Sequence, residues 1–224
     1  MTGRIVVGAD EAGRGLIIGP MVIGVCAIDE ATEKKFRDFG ITDSKKYTTT
    51  RKLHAHADFI KRNSLAWSVK VLSAKVLNNF KKNGMTMDEA EAFAFFRALE
   101  EISKKIPAID EYQVDNFQAR GKLRSLMKEN SNLNKIKLII LPKADAKYIS
   151  VGAGSILARD QSLKELTKIR NKYGDFGSGS TSDQKTRTWL KNYYLKNNSW
   201  SEEIIRTYWK TIENIEKELK EKKK

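Results

Sequence analysis

The sequence predicts an α/β fold, a mixed sheet flanked by helices with further helices at the C-terminal end. Three observations carry that expectation. Short strand-like segments recur at 5–7, 21–28, 66–72, 111–114 and 137–141, and from residue 28 onward the intervals between them read as helices. After residue 141 the strand-like runs stop. No segment repeats, and 224 residues are enough to bury a sizeable core.

Ile5, Val6 and Val7 suit a strand of a buried sheet, and Asp10 and Glu11 close it. A glycine-bracketed arginine, Gly13-Arg14-Gly15, separates that strand from the run at 21–28. Residues 32–39 read as a short helix, 40–46 as a loop and 48–62 as a helix with a threonine-rich start. Residues 66–72 form a strand with Trp67, Val69 and Val71 on one face. Ser73 is placed to cap a short helix ending near Asn83-Gly84. The helix at 87–102 has Asp88 and Glu89 in its first turn and Ala92, Phe95, Phe96 and Leu99 as its apolar stripe. Asp115 ends the strand at 111–114, a helix spans 118–128, and Pro142 closes the strand at 137–141. A long helix is expected from Asp145 to Ile169, then a Gly- and Ser-rich loop over 174–182 and helices over 183–197 and 201–220. Residues 1–182 therefore read as the main body and 183–224 as a C-terminal helical subdomain whose Lys-rich end, 217–224, frays.

The 42 Lys and Arg against 28 Asp and Glu leave a net charge of +14, spread along the chain. That balance favours a polyanionic partner, nucleic acid or an anionic membrane face. No apolar stretch approaches the roughly 20 residues of a spanning helix, and no signal-like segment follows the N-terminus, so no membrane partner is expected. Cys26 is the one cysteine, which excludes an internal disulfide and fits a reducing, cytoplasmic compartment.

Carboxylates recur at one kind of place. Asp10 and Glu11 end the first strand, Asp115 ends a later one, and Asp145 follows a third by four residues at a helix start. The reactive crevice of an open α/β sheet lies beyond its strand ends, so four acids from three strands can converge there. Adjacent carboxylates repel unless a cation sits between them. Oxygen-only ligation suits Mg²⁺ or Mn²⁺ rather than Zn²⁺. Singly, each acid has a plainer use: an exposed turn for Asp10-Glu11, a turn cap for Asp115, a helix N-cap for Asp145. Together, in a strongly basic chain, they favour metal-dependent chemistry on phosphate. His54 and His56 lie two apart on an expected helix, face different ways and read as surface residues.

The stretch Gly8-Ala9-Asp10-Glu11-Ala12-Gly13-Arg14-Gly15 with Gly19-Pro20-Met21, then Asp43-Ser44-Lys45, then Lys143-Ala144-Asp145-Ala146-Lys147-Tyr148 with Ser155-Ile156-Leu157-Ala158, resembles the type 2 ribonuclease H family, ribonuclease HII. The loop Gly174-Asp175-Phe176-Gly177-Ser178-Gly179, with Ser182-Asp183 and Lys185-Thr186, is similar to the archaeal and eukaryotic branch. The resemblance implies a ribonuclease H-like core with a small C-terminal helical subdomain. It also implies endonucleolytic cutting of RNA within RNA–DNA hybrids, and at single ribonucleotides in DNA; a monomer is expected. By that resemblance Asp10, Glu11, Asp115 and Asp145 are catalytic and hold two Mg²⁺ or Mn²⁺ ions. Asp10 lies between the ions, Asp145 on the water-activating side, and Glu11 and Asp115 on the leaving-group side. Two metals about 4 Å apart supply an activated water, a charge clamp and a stabilised leaving oxygen, and the family's products carry a 3′-hydroxyl and a 5′-phosphate.

Gly13 and Gly15 lack side chains, so their backbone can approach a nucleic acid closely. The resemblance sets Gly13-Arg14-Gly15 at the 2′-hydroxyl, the group that separates RNA from DNA, with Arg14 on the adjoining phosphate. Ser44 and Lys45 offer a hydroxyl and a cation to the backbone, as do Lys143 and Lys147 beside Asp145. Lys46, Arg51 and Lys52 read as a solvated basic face adding salt-sensitive attraction. One position departs from the family. Its relatives carry a tyrosine after Gly-Ser-Gly that packs on the sugar past the ribonucleotide; here Ser180 stands there, which bears on junction preference and not on metal chemistry.

Charge alone predicts only binding, so a nonenzymatic nucleic-acid-binding module is the alternative from another class; without metal, the four acids would repel phosphate. Within the nuclease reading, the alternative cuts longer hybrids but not single embedded ribonucleotides, as the related type 3 branch does. The first glycine-rich loop lacks the Gly-Lys-Ser/Thr ending of a P-loop.

Overall fold

The computed structural model describes residues 3–41, 49–106 and 108–221. Its strands are β1 (Val6–Ala12), β2 (Met21–Ile28), β3 (Ala66–Leu72), β4 (Glu111–Asp115) and β5 (Lys137–Leu141). Its helices are α1 (Glu30–Phe39), α2 (Thr50–Asn63), α3 (Ala74–Lys82), α4 (Met87–Lys105), α5 (Arg120–Glu129), α6 (Ala144–Lys147), α7 (Ile149–Tyr173), α8 (Gln184–Asn197) and α9 (Lys210–Glu221). The sheet order is β3-β2-β1-β4-β5. β1 pairs antiparallel with β2 and parallel with β4, and β4 pairs parallel with β5. The sheet is therefore mixed, as expected, and the C-terminal ends of β1, β4 and β5 share one edge.

The chain forms two compact units, the first from the described residues of Met1–Ala12, Val22–Lys70 and Asp88–Gln161. Here the start of α7 lies directly on the strand backbones. A Cβ on Gly24 of β2 would come within 2.2 Å of the Gly154 carbonyl oxygen and 2.6 Å of Ala158 N, so only glycine fits that contact. The α4 stripe of Ala92, Phe95, Phe96 and Leu99 is buried as expected. Tyr112 of β4 is buried too, its hydroxyl donating to the Phe95 carbonyl at 3.1 Å. On edge strand β3, Trp67 and Val71 are exposed while Ala66, Ser68 and Leu72 are buried. The inward Ser68 hydroxyl is satisfied by Glu101 at 3.0 Å, and Lys61 lies over the Trp67 ring.

The second unit comprises Gly13–Met21, Val71–Met87 and the described residues of Ser162–Lys224. Its core includes Ile17, Ile18, Leu166, Phe176, Leu190 and Ile205. Ser73 caps α3 as expected, its Oγ accepting from Val76 N at 3.3 Å.

Three sequence expectations need correction. The long helix from Asp145 is two helices, α6 and α7, separated at Tyr148 by extended backbone. Each piece has its own tie to β4: Ala144 N donates to Asp115, and the Ser150 hydroxyl donates to Gln113 at 2.6 Å. Residues 201–209 form turns, with helix only from Lys210, because their backbone is committed elsewhere. Ile205 bridges Ile18, Arg206 N donates to the Ile17 carbonyl, and Asn78 Nδ2 donates to the Glu202 and Ile205 carbonyls. That helix, α9, runs as far as Glu221, and residues 222–224 lie outside the described residues. His56 is buried, its ring tilted against Phe39 with Nδ1 donating to the Lys52 carbonyl, and His54 pairs with the fully buried Asp160, which also faces Lys61 at 3.5 Å.

Candidate active site

The parallel register sets the acids at one edge. Ala9 pairs with Val114 and Asp115 with Leu141, so Asp10 of β1 and Asp115 at the end of β4 stand level on neighbouring strands, and Asp145 comes four residues after Leu141; β1 runs on through Glu11 to Ala12, past the acids expected to close it. Neighbouring strands lie about 4.8 Å apart. Asp115 Oδ1 accepts from Asn116 N at 2.8 Å and from Ala144 N at 3.1 Å. It thus does cap a turn, and in doing so ties the end of β4 to the residue before Asp145. Asp145 sits in the first turn of α6 and is buried, entered through Lys143 in the left-handed conformation (φ 56°).

Asp10 is 5% exposed. Burial, and then the charge of Glu11, hold its carboxyl well above the usual carboxylate range. The Ser155 hydroxyl of α7 and the Glu11 amide, the latter at 2.9 Å, pull the other way. A carboxyl so placed is disfavoured as an anion until a cation faces it. The donor set suits a hard divalent ion in chemistry and in its placement at one sheet edge. Among the described residues, no three Asp, Glu, His or Cys side chains are drawn around a common point closely enough to hold an ion. Lys143 and Lys147 are exposed beside Asp145, and Arg51 and Lys52 are exposed on α2. Ser44, Lys45 and Lys46 fall outside the described residues.

The glycine loop belongs to the second unit. Gly13 has φ +79°, and a Cβ there would lie 2.5 Å from the Pro20 carbonyl oxygen, so its glycine is required by the chain itself. Gly15 is exposed with no atom within 4 Å of its Cβ position, leaving room for an outside partner. Leu16 bridges Ser180, and the Gly179 carbonyl accepts from Ile17 N at 2.8 Å and Ile18 N at 3.2 Å. Ser180 thus stands beside the residue that follows Gly15, with its hydroxyl 2.9 Å from that of Ser182. Asp183 is the N-cap of α8 and secures the same loop, accepting from Ser178 N at 2.6 Å and Lys185 N at 2.9 Å. Those bonds, Ser178 N foremost, hold its carboxyl down to about 2.

Sequence reasoning singled out neither Ser155, which bonds Asp10, nor Arg206, whose guanidinium donates to the Gly13 and Arg14 carbonyls. Ser155 appeared only within a motif, and its bond to Asp10 depends on how α7 lies on β1. Arg206 follows Ile204-Ile205 in a segment read as ordinary helix; nothing local marks it.

The ribonuclease HII family model matches residues 7–212. Ribonuclease HII of Pyrococcus furiosus is 38% identical over 218 residues, covering 96% of this chain and 93% of the relative. That of Methanocaldococcus jannaschii is 33% identical over 223 residues, covering 94% of each. Among solved structures, ribonuclease H2 from Pyrococcus horikoshii superposes with a TM-score of 0.83 at 34% identity, covering 96% of this chain and 99% of that one. Bst-RNase HIII in complex with Mn²⁺ shares the fold, with a TM-score of 0.85 at 21% identity, covering 99% and 72%.

Proposed function

The chain belongs to the ribonuclease HII family, endoribonucleases that cleave RNA in RNA–DNA hybrids, and from that premise we propose that Asp10, Glu11, Asp115 and Asp145 are its catalytic carboxylates and that Gly13-Arg14-Gly15 reads the ribonucleotide. One observation carries the first half: β1, β4 and β5 run parallel, with Asp10 and Glu11 near the C-terminal end of β1, Asp115 ending β4 and Asp145 four residues after β5. Two Mg²⁺ or Mn²⁺ ions, when bound by these carboxylates, supply an activated water and stabilise charge on the phosphate and the leaving oxygen. Asp10 and Glu11, forced together, are relieved of their repulsion by such a charge. The Ser155 hydroxyl orients Asp10, and the Ala144 amide holds one oxygen of Asp115 so that the other can face outward. Lys143 and Lys147, exposed beside Asp145, attract the phosphate backbone, and Ser44 and Lys45, which lie outside the described residues, are assigned the same role from the sequence alone. The products are a 3′-hydroxyl and a 5′-phosphate. The net charge of +14 fits a nucleic-acid substrate, and among the described residues no helix is long and apolar enough to cross a membrane.

Single ribonucleotides embedded in DNA are substrates in this reading, with weaker junction preference than an aromatic residue at position 180 would confer. Ser180, whose hydroxyl is shared with Ser182, favours a second reading: cutting confined to longer hybrids. The deciding experiment is cleavage of two duplexes, one with a single ribonucleotide and one with an all-RNA strand, in Mg²⁺ and in Mn²⁺. Cutting of both is expected. Cutting of the all-RNA strand alone selects the second reading, and cutting of neither overturns both.

A further inference from the structure

The Arg206 guanidinium is fully buried, and the acceptors that meet it are main-chain carbonyls. Nε donates to Gly19 at 3.1 Å, Nη1 to Arg14 at 2.8 Å and Nη2 to Gly13 at 2.7 Å. A buried cation is costly unless its donors are met, and the planar fork can meet three separate acceptors where a single ammonium cannot. Burial pulls Arg206 down to about 10, which leaves it charged at neutral pH. Its own backbone is anchored on both sides, with Arg206 N on the Ile17 carbonyl at 2.9 Å and Thr207 N on Asn78 Oδ1 at 3.0 Å.

We propose that Arg206 is a positioning residue for ribonucleotide recognition: by holding the Gly13 and Arg14 carbonyls inward, it turns the Arg14 and Gly15 amides outward as donors to the sugar-phosphate. The link is peptide planarity. All described peptide bonds are trans, and in a trans peptide the N–H points opposite to the C=O of the same unit. The Arg14 carbonyl shares its peptide with the Gly15 amide, and the Gly13 carbonyl with the Arg14 amide. Gly15 is exposed with open space around it, so its outward N–H can meet a 2′-hydroxyl or phosphate oxygen. This assignment rests on the proposed role of the loop.

The test uses the full chain with Arg206→Lys and Arg206→Met. Four quantities are measured well below each variant's melting temperature: kcat and KM on an RNA–DNA hybrid, the inhibition constant of an all-DNA duplex of the same sequence, and the Mn²⁺ concentration for half-maximal rate. For Arg206→Lys, kcat/KM on the hybrid should fall about tenfold, since one nitrogen cannot span three carbonyls. Inhibition by DNA and the Mn²⁺ response should stay within twofold, so that selectivity for the hybrid narrows. Arg206→Met should lose at least fiftyfold; should it fail to fold, the lysine variant decides. A scaffold-only role would lower the melting temperature and leave kcat/KM and selectivity of the folded enzyme untouched, and a folded Arg206→Lys within twofold of the parent overturns the assignment. A parent that cuts no hybrid overturns the proposed function instead, so the two failures are distinguishable.

Discussion

Asp10 and Arg206 are both charged side chains taken almost wholly out of water, at 5% and 0% exposure, yet their surroundings differ in kind. Arg206 meets three carbonyl dipoles and is satisfied within the fold. Asp10 meets a hydroxyl, an amide and a second carboxylate, and is held where its charged form is disfavoured. The first arrangement gives a rigid loop that needs nothing further to keep its shape. The second stores a demand for positive charge from outside. Chemistry is thus expected at the sheet edge and recognition at the glycine loop, so substitutions in the two places should fail differently.

The largest effect should come from Asp10→Asn and Asp145→Asn. Losing a metal ligand forfeits several kcal/mol of charge stabilisation in the transition state, and at about 1.4 kcal/mol per decade cleavage should fall at least about a thousandfold. Hybrid binding should hold or tighten, because a negative charge facing phosphate is gone. Cleavage near the parent rate in Mg²⁺ by either variant would remove the sheet edge from the chemistry.

Ser180→Tyr probes recognition alone. Stacking on an aromatic ring contributes on the order of 1–3 kcal/mol per base and a sugar contact less, so the rate ratio of single-ribonucleotide to all-RNA substrate should rise about tenfold while the all-RNA rate barely moves. An unchanged ratio would mean that position 180 does not weaken junction preference. Tyr173 and Tyr193 already pack against the second unit's core, so neither is a ready substitute.

Within the loop, Gly13→Ala and Gly15→Ala should separate fold from function. Gly13 is left-handed and its Cβ would meet the Pro20 carbonyl, so alanine there should cost about 1–2 kcal/mol or more, a drop of about 2–8 °C in melting temperature. Gly15→Ala has open space in the protein and should leave the melting temperature within about a degree while weakening hybrid cleavage. Equal melting temperatures for the two variants would contradict the loop geometry.

The smallest effect concerns Asp183, whose carboxyl is held down to about 2 by the Ser178 amide and its other bonds. A depressed folded pKa stabilises above the unfolded value of 3.8 and is lost as pH falls from there through about 2. The melting-temperature gap between the parent and Asp183→Asn should therefore be constant above pH 4 and close between about pH 4 and 2. A gap independent of pH would show that the charge of Asp183 does not hold the loop.

What the sequence determined by itself is what neighbours along the chain can report. β5 spans the residues read as a strand, the α4 stripe is buried, and Ser73 caps the helix it precedes. Asp10, Glu11, Asp115 and Asp145 stood out because each closely follows a strand-like segment, a pattern visible within a few residues. Tertiary structure decided the rest. The parallel pairing of β1 with β4 joins residues more than 100 apart and makes three strand ends one edge. The break at Tyr148 and the turns over 201–209 arise where backbone and side chains bond to distant segments in preference to the next helical turn. Arg206 is the extreme case: the carbonyls that satisfy it lie 187 to 193 residues upstream. Helical and strand periodicities describe the surroundings of a side chain only over about one turn, so a buried arginine and an exposed one look alike until the fold brings their acceptors in.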